Sequence, residues 1–477
     1  MKNLLPFLVF VLLLAGCKKD PPAGPSTTGP YFPGSELAYF QVTTDVAIEN
    51  EPKVPGYLKI FEEGELVFEH HIGIEYRGST SFRLSDKKSF GFETWDESGD
   101  DQNASILGFP EEEDWILTGH VYRASEGRMF DPTLMRHFVG YELYRSMGNY
   151  ASRCQFVELE VNDDFVGTYI FMEKLKRDKN RIDISKLDPD ENSGEDLTGG
   201  YILKIDKTAG GDVAPNQPLA YYETNWDDDA RYNADISFRS AYDVYGQPLT
   251  IEPFGPPYHP EQYLETYFLY EYPKAEDISP QQQAYIQQYI YEFETALLND
   301  DFASPDRTYT DYIDAATFVD YFLLNEVVGN IDAYRISTFL YKDKNDKLSL
   351  GPVWDLNIGY NGQDRVPRTD WIANYNDYVP NDPWLVPFWW DRLLADPQFT
   401  DLIKSRWSAL RANTLATATV ENLVRQTADY LIDNGAIDRN YTRWTGAYDF
   451  SYEAEVEAMV SYLRERLDWM DGAIANL

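Results

Sequence analysis

Two aspartates, Asp332 and Asp355, flank a segment that the sequence predicts to be a β-hairpin. Residues 336–342 alternate and are rich in β-forming side chains, residues 343–346 predict a tight turn, and residues 347–354 predict the returning strand. Because a hairpin brings its two ends together, we expect the two carboxylates to lie near each other. A carboxylate can hold Mg2+ or accept a hydroxyl proton, so the pair predicts a site for either chemistry.

The element before the hairpin is predicted to be a buried helix that ends at Gly329. Asn330 and Asp332 then lie in the loop that follows it. Protein kinases have the same order: a catalytic-loop Asp that orients the acceptor hydroxyl, two short strands, and an Asp that holds Mg2+. A buried polar turn with capping aspartates would produce the same pattern, so this segment alone leaves both interpretations open.

Composition limits the classes of function. The chain has 477 residues, 43% of them hydrophobic, which is enough for a substantial core in two or three domains or one large domain with insertions. The formal net charge of −39 argues against a nucleic-acid partner, because phosphates would be repelled. The five histidines have no metal-ligand spacing, and Walker A and G-x-S-x-G motifs are absent from the sequence.

The N-terminus predicts a signal peptide over residues 1–16, in which a short apolar run follows a lysine. The run ends in Leu-Ala-Gly-Cys, which resembles a bacterial lipobox, so Cys17 is expected to be lipidated and residues 17–34 to form a flexible tether. This predicts an outer-membrane or surface lipoprotein of the cell envelope, held to the membrane through Cys17, rather than a cytoplasmic protein. An ordinary secretory signal with a coincidental cysteine is the alternative. A lipidated Cys17 would leave Cys154 without an intramolecular disulfide partner.

The rest of the chain predicts an α+β fold. Residues 35–205 are interpreted as a β-rich N-terminal nucleotide lobe, residues 206–280 as a loop-rich insertion, and residues 281–477 as a helical lobe that carries the hairpin.

Candidate phosphate contacts lie in the β-rich part. Arg77 and Ser79 stand in a polar segment that offers guanidinium and hydroxyl groups, although it is not a G-x-G-x-x-G loop. Lys87 and Lys88 begin a predicted strand over residues 87–92, in which only one of two successive side chains can face a cleft. Solvated surface cations would give the same pattern.

Six groups of residues follow one another along the chain: Arg77-Gly78-Ser79 with Lys87-Lys88-Ser89-Phe90, Leu134-Met135-Arg136-His137-Phe138, Val161-Asn162 with Gly167-Thr168-Tyr169 and Met172-Glu173, Gly200-Tyr201-Ile202-Leu203-Lys204, Gly329-Asn330-Ile331-Asp332 and Gly351-Pro352-Val353-Trp354-Asp355. In this order they resemble the CotH family of atypical secreted kinases over residues from about 35 to 444, and in detail the lipoprotein members from Bacteroidota-like bacteria.

The resemblance implies an atypical protein-kinase-like fold that binds ATP with Mg2+ or Mn2+ and phosphorylates Ser or Thr of secreted or envelope proteins. It further implies that Asp332 is the catalytic residue and that Asp355 is a metal ligand. Lys87 would contact the phosphates of the nucleotide, together with Arg77, Ser79 and Lys88, and Glu173 would contact the edge of the adenine.

Two positions depart from the pattern. Ser337 stands where kinases have a metal-binding Asn, and Asn357 stands where many family members carry a second Asp. Asn357 and the amide of Asn330 are therefore the remaining candidates for metal ligands. A non-catalytic envelope lipoprotein, either a pseudokinase or a glycan- or protein-binding module that uses its 36 Tyr and 11 Trp, is the alternative function.

Overall fold

The computed structural model describes residues 36–78, 80–208, 232–250, 262–360, 365–444 and 451–477. The predicted signal peptide, the lipidated tether and Ser79 lie outside these ranges. In the described part of the chain, no helix combines the length and the apolar character that crossing a bilayer requires.

The N-terminal region is a closed barrel, which leaves its strands without free edges. In chain order the elements of this region are β1 Ala38–Thr44, β2 Val54–Glu62, β3 Glu65–Arg77, α1 Thr80–Leu84, β4 Ser89–Trp95, β5 Asp114–Thr118, β6 Tyr122–Arg123, β7 Arg128–Met129, α2 Arg136–Ser146, β8 Cys154–Val161 and β9 Asp164–Glu173. The barrel order is β1-β2-β3-β4-β5-β9-β8, and the short pair β6-β7 stands apart. Only the β1–β8 pair of the barrel is parallel. Alternate side chains such as Phe40, Ile72 and Phe171 fill its interior.

A second, antiparallel sheet belongs to the C-terminal half. Its strands are β10 Tyr201–Ile205, β11 Ser237–Asp243, β12 Glu265–Tyr272, β13 Thr338–Lys342 and β14 Leu348–Leu350, in the order β11-β12-β10-β13-β14. The predicted hairpin is therefore present as β13 and β14. The expectation of a loop-rich insertion over 206–280 missed β11 and β12, two short strands flanked by Asn-, Asp- and Pro-rich sequence. It also placed β10 in the first lobe, whereas β10 pairs with β12 and β13.

Helices dominate the C-terminal half. They are α3 Pro280–Leu298, α4 Ala315–Val328, α5 Tyr375–Tyr378, α6 Trp389–Ala395, α7 Pro397–Arg411, α8 Thr417–Asp433, α9 Ala436–Arg443 and α10 Tyr452–Ala475. The predicted α+β organisation, with a β-rich N-terminal region and helices toward the C-terminus, is confirmed. α4 ends as predicted at Gly329, whose φ of 63° is the left-handed conformation that glycine adopts without strain.

Helix α2 links the two regions, because it packs against β8 of the barrel and against α4 and α8. It starts at Arg136 and not earlier because of the backbone at Leu134. Leu134 has a φ of 61°, which a right-handed helix cannot include. The carboxylate of Asp131 instead accepts the backbone N–H groups of Thr133 and Arg136 and so caps the helix.

Candidate active site

The Asp332 loop is built by hydrogen bonds at the end of α4. The buried Asn330 side chain donates to Asn325 Oδ1 at 3.1 Å and accepts the Asp332 N–H at 3.2 Å. Both ends of its amide are therefore used inside the loop. This geometry gives Asn330 a role in shaping the loop and does not support its prediction as a metal ligand.

Arg335 fixes the Asp332 carboxylate. Its guanidinium donates to Asp332 Oδ1 at 2.7 Å and to Asp382 Oδ1 at 3.1 Å. It also lies 4.2 Å from the ring centre of Tyr375, and its side chain is only 3% exposed. Because Arg335 is held on several sides, the Asp332 carboxylate has a defined direction, which a group that orients an acceptor hydroxyl requires.

Asp355 packs against helix α2. Its backbone has a φ of 53°, and the next residue, Leu356, donates its N–H to His137 Nδ1 at 3.3 Å. Burial, and then the nearby positive charges of Arg77 and Arg136, lower the pKa of His137 to about 3, so the imidazole is neutral. Since Nδ1 accepts, the ring proton is on Nε2, which lies 3.8 Å from Asp355 Oδ1. His137 thus directs an N–H toward this carboxylate.

The rest of the Asp355 loop is also held by α2. Arg136 donates to the backbone oxygen of Asn357 at 2.9 Å, and the Tyr360 hydroxyl donates to the Arg136 carbonyl at 3.0 Å. Leu356 is fully buried against Gly140, where an added Cβ would lie 2.3 Å from Leu356 Cδ1. These contacts hold Asn357 by its backbone, and its part in metal binding stays a prediction.

Asp206 and Asp332 lie close enough to Asp355 for their charges to act on it, and we call these three carboxylates the acidic cleft. Desolvation, followed by the negative charges of Asp332 and Asp206, raises the pKa of Asp355 to about 7, against the opposing effect of Arg77 and Lys207. The Asp355 side chain is nevertheless 41% exposed, so the cleft is open to ligands. The sequence analysis did not include Asp206, the residue directly after β10, among the candidate site residues, although it closely follows the segment 200–204 that carries part of the family resemblance. Burial raises its pKa as well.

Arg77 reaches the acidic cleft, but the predicted lysines do not. The Arg77 guanidinium lies 5.9 Å from the ring centre of Trp354, and the charge of Asp355 opposes the lowering of the Arg77 pKa by burial. Lys87 is 1% exposed and donates to the Thr168 carbonyl at 2.5 Å and to Asn440 at 2.7 Å. The geometry therefore favours Arg77 over Lys87 as the cation that meets phosphates.

Lys88 and Glu173 also lie elsewhere. Lys88 donates to the carbonyl of Phe82 at 2.7 Å. Glu173 is fully buried and pairs with Arg153 at 2.7 Å and Arg181 at 3.2 Å. A carboxylate engaged by two guanidinium groups inside the protein holds the fold together, and this arrangement does not support the predicted adenine contact.

A second group of carboxylates, Glu112, Glu113 and Asp114, has oxygens within 4.8 Å of one another. The ammonium of Lys176 donates to all three, at 2.6, 2.7 and 3.0 Å. The positive charge that this group requires is thus supplied by the chain itself, which leaves the acidic cleft as the better candidate for a metal.

The donor set of the acidic cleft fits a hard divalent cation. Mg2+ and Mn2+ favour oxygen ligands, and Mg2+ usually rests on one or two carboxylates together with substrate phosphates. Comparison with curated proteins gave no match. Residues 74–470, most of the chain, match the family model described as "CotH kinase protein", and the chain therefore belongs to the CotH family of atypical kinases.

Proposed function

We propose that this protein is a CotH-type kinase of the cell envelope that transfers the γ-phosphate of ATP to Ser or Thr hydroxyls of secreted or envelope proteins. The observation that carries the proposal is that Asp332 and Asp355 flank the β13–β14 hairpin and lie close enough for the charge of Asp332 to act on Asp355, which in turn acts on Arg77. Family membership supports the reaction type, and the predicted lipidation of Cys17 supports the location.

Each residue has a distinct task in the proposed transfer. Asp332, held by Arg335, orients the acceptor hydroxyl and takes its proton as the oxygen bonds to the γ-phosphorus. The bond between that phosphorus and the β–γ bridging oxygen breaks, and ADP leaves. Arg77 offsets negative charge on the phosphates. Asp355, together with Asn357, would hold Mg2+ or Mn2+, which supplies charge neutralisation at the phosphate oxygens when bound.

Phosphotransfer to an envelope protein pool, measured with the full-length protein in detergent, tests the proposal. Asp332→Asn should bind nucleotide normally and transfer phosphate ~100-fold more slowly or worse, the size expected for the loss of a positioned base. Asp355→Asn should lose metal-dependent nucleotide binding. Asp183→Asn, which removes the same charge from an exposed site, is the matched control.

Two results would count against this function. One is a folded, nucleotide-binding Asp332→Asn protein with near wild-type transfer. The other is a thermal shift with oligosaccharide and none with ATP and Mn2+, which would favour the non-catalytic binding lipoprotein.

A further inference from the structure

The catalytic loop lacks one of the ligands that kinases use. In protein kinases the fifth residue after the catalytic Asp is an Asn that binds a metal ion. Here that residue is Ser337, whose hydroxyl is a poorer ligand than an amide oxygen or a carboxylate.

Strand pairing brings a carboxylate to the same place. β10 and β13 are antiparallel, and Ile205 stands opposite Thr338, so the next residue along β10, Asp206, comes beside Ser337. The backbone N–H of Ser337 lies close enough to the Asp206 carboxylate to oppose the rise of its pKa. The N–H of Lys207 donates to Asp206 Oδ1 at 2.9 Å. Asp206 is therefore fixed directly next to the position from which kinases present their Asn.

The Asp206 carboxylate has acceptor positions left for a ligand, because a carboxylate offers about four of them. Lys204 Nζ lies 3.8 Å from its Oδ2, beyond hydrogen-bond distance, and the Asp206 side chain is 19% exposed. Its charge also acts on Asp355 across the cleft. Carboxylates that repel one another in this way gain most from a divalent cation held between them.

We propose that Asp206 is a second carboxylate ligand of the metal ion that Asp355 holds. From the end of a neighbouring strand it would replace the catalytic-loop Asn of kinases, whose position is occupied here by Ser337. This inference rests on the proposed function, since it concerns the metal of the same reaction.

The test is calorimetric titration of Mn2+ into the full-length protein in detergent, in the presence of a non-hydrolysable ATP analogue. Asp206→Asn should weaken Mn2+ binding about 10-fold or more, while the exposed control Asp183→Asn stays at the wild-type value. The Asn oxygen can still accept the Lys207 N–H, so the melting temperature without metal should not fall.

A second substitution distinguishes a ligand from a structural residue. Ser337 has a φ of 50°, a conformation that Asn tolerates better than most residues, so Ser337→Asn can be introduced without new backbone strain. Added to Asp206→Asn, it should restore part of the Mn2+ affinity by returning the kinase-type amide. If Asp206→Asn lowers the melting temperature, recovery of Mn2+ affinity in the double variant still supports the inference, and no recovery overturns it.

The outcomes separate this inference from the proposed function. Loss of Mn2+ binding in Asp355→Asn, with wild-type affinity in Asp206→Asn, would overturn the role of Asp206 and leave the kinase intact. Absence of Mn2+ binding to the wild-type protein with the analogue would overturn both.

Discussion

Gly140→Ala probes the contact between helix α2 and the loop that carries Asp355. An added Cβ would lie 2.3 Å from Leu356 Cδ1 and 2.8 Å from the Tyr360 hydroxyl, both distances that real Cβ atoms do not adopt. Both atoms are side-chain ends, but Leu356 and Tyr360 are buried and have little space to retreat. We therefore expect Leu356 to shift and to move Asp355, its neighbour in the chain.

The expected magnitude follows from two opposing effects. Replacing a helical glycine by alanine stabilises a helix by up to ~1 kcal/mol, whereas overpacking a well-filled core costs ~1–3 kcal/mol. Gly472, in α10, offers a matched control, because no atom lies within 4 Å of its added Cβ. Gly472→Ala should therefore raise the stability, and Gly140→Ala should fall below it by ~1–3 kcal/mol.

The assay combines melting temperature with Mn2+ affinity for the two variants. Gly140→Ala should melt below Gly472→Ala and bind Mn2+ more weakly, because Asp355 is displaced. If Gly140→Ala melts as high as Gly472→Ala and binds Mn2+ like the wild type, the idea that α2 positions Asp355 is wrong.

Three further predictions concern other parts of the chain. Because the Asp355 pKa is raised to about 7, protonation competes with metal as the pH falls, and Mn2+ binding followed by calorimetry should weaken ~10-fold between pH 8 and pH 6; affinity independent of pH in this range would contradict it. Lys87→Met should lower the melting temperature, because the hydrogen bonds to Thr168 and Asn440 are lost, but should leave the ATP affinity within about 2-fold of the wild type. A large loss of ATP affinity in a nucleotide titration would instead show that Lys87 contacts the nucleotide. Cys17→Ser should release the protein from the membrane or leave its precursor uncleaved, and mass spectrometry of a wild-type chain that keeps residues before Cys17 would refute lipidation.

The parts of the site that sequence could predict depend on local chain geometry. Gly329 ends α4 because it alone tolerates the left-handed conformation there, and the turn at 343–346 closes the hairpin with a hydrogen bond from the Asp346 N–H to the Asp343 carbonyl. These two short-range features place Asp332 and Asp355 at the same end of the hairpin, which is why their proximity could be predicted from the sequence.

The parts that sequence missed depend on contacts between distant segments. Lys87 is buried by Asn440, 353 positions away, and a strand pattern cannot tell such a lysine from one that faces a cleft. Asp206 comes beside Ser337 through the pairing of β10 with β13, and β11, β12, α3 and α4 lie between these two strands in the sequence. Strand partners of this kind are set by tertiary packing rather than by local pattern.

The acidic cleft depends on three separate supports. Asp332 is held by Arg335 of its own loop, Asp355 by helix α2, and Asp206 by the Lys207 N–H and the pairing of β10 with β13. Each support holds its carboxylate near the other two, although like charges repel one another. This repulsion lowers the stability of the fold, and a larger spacing between the carboxylates would remove it. Repulsion maintained by the packing is relieved when a cation binds, so part of the affinity for metal is already provided by the apo fold. Removing one carboxylate should therefore stabilise the metal-free protein while it weakens metal binding, and Asp355→Asn is the variant in which melting temperatures with and without Mn2+ should change in opposite directions.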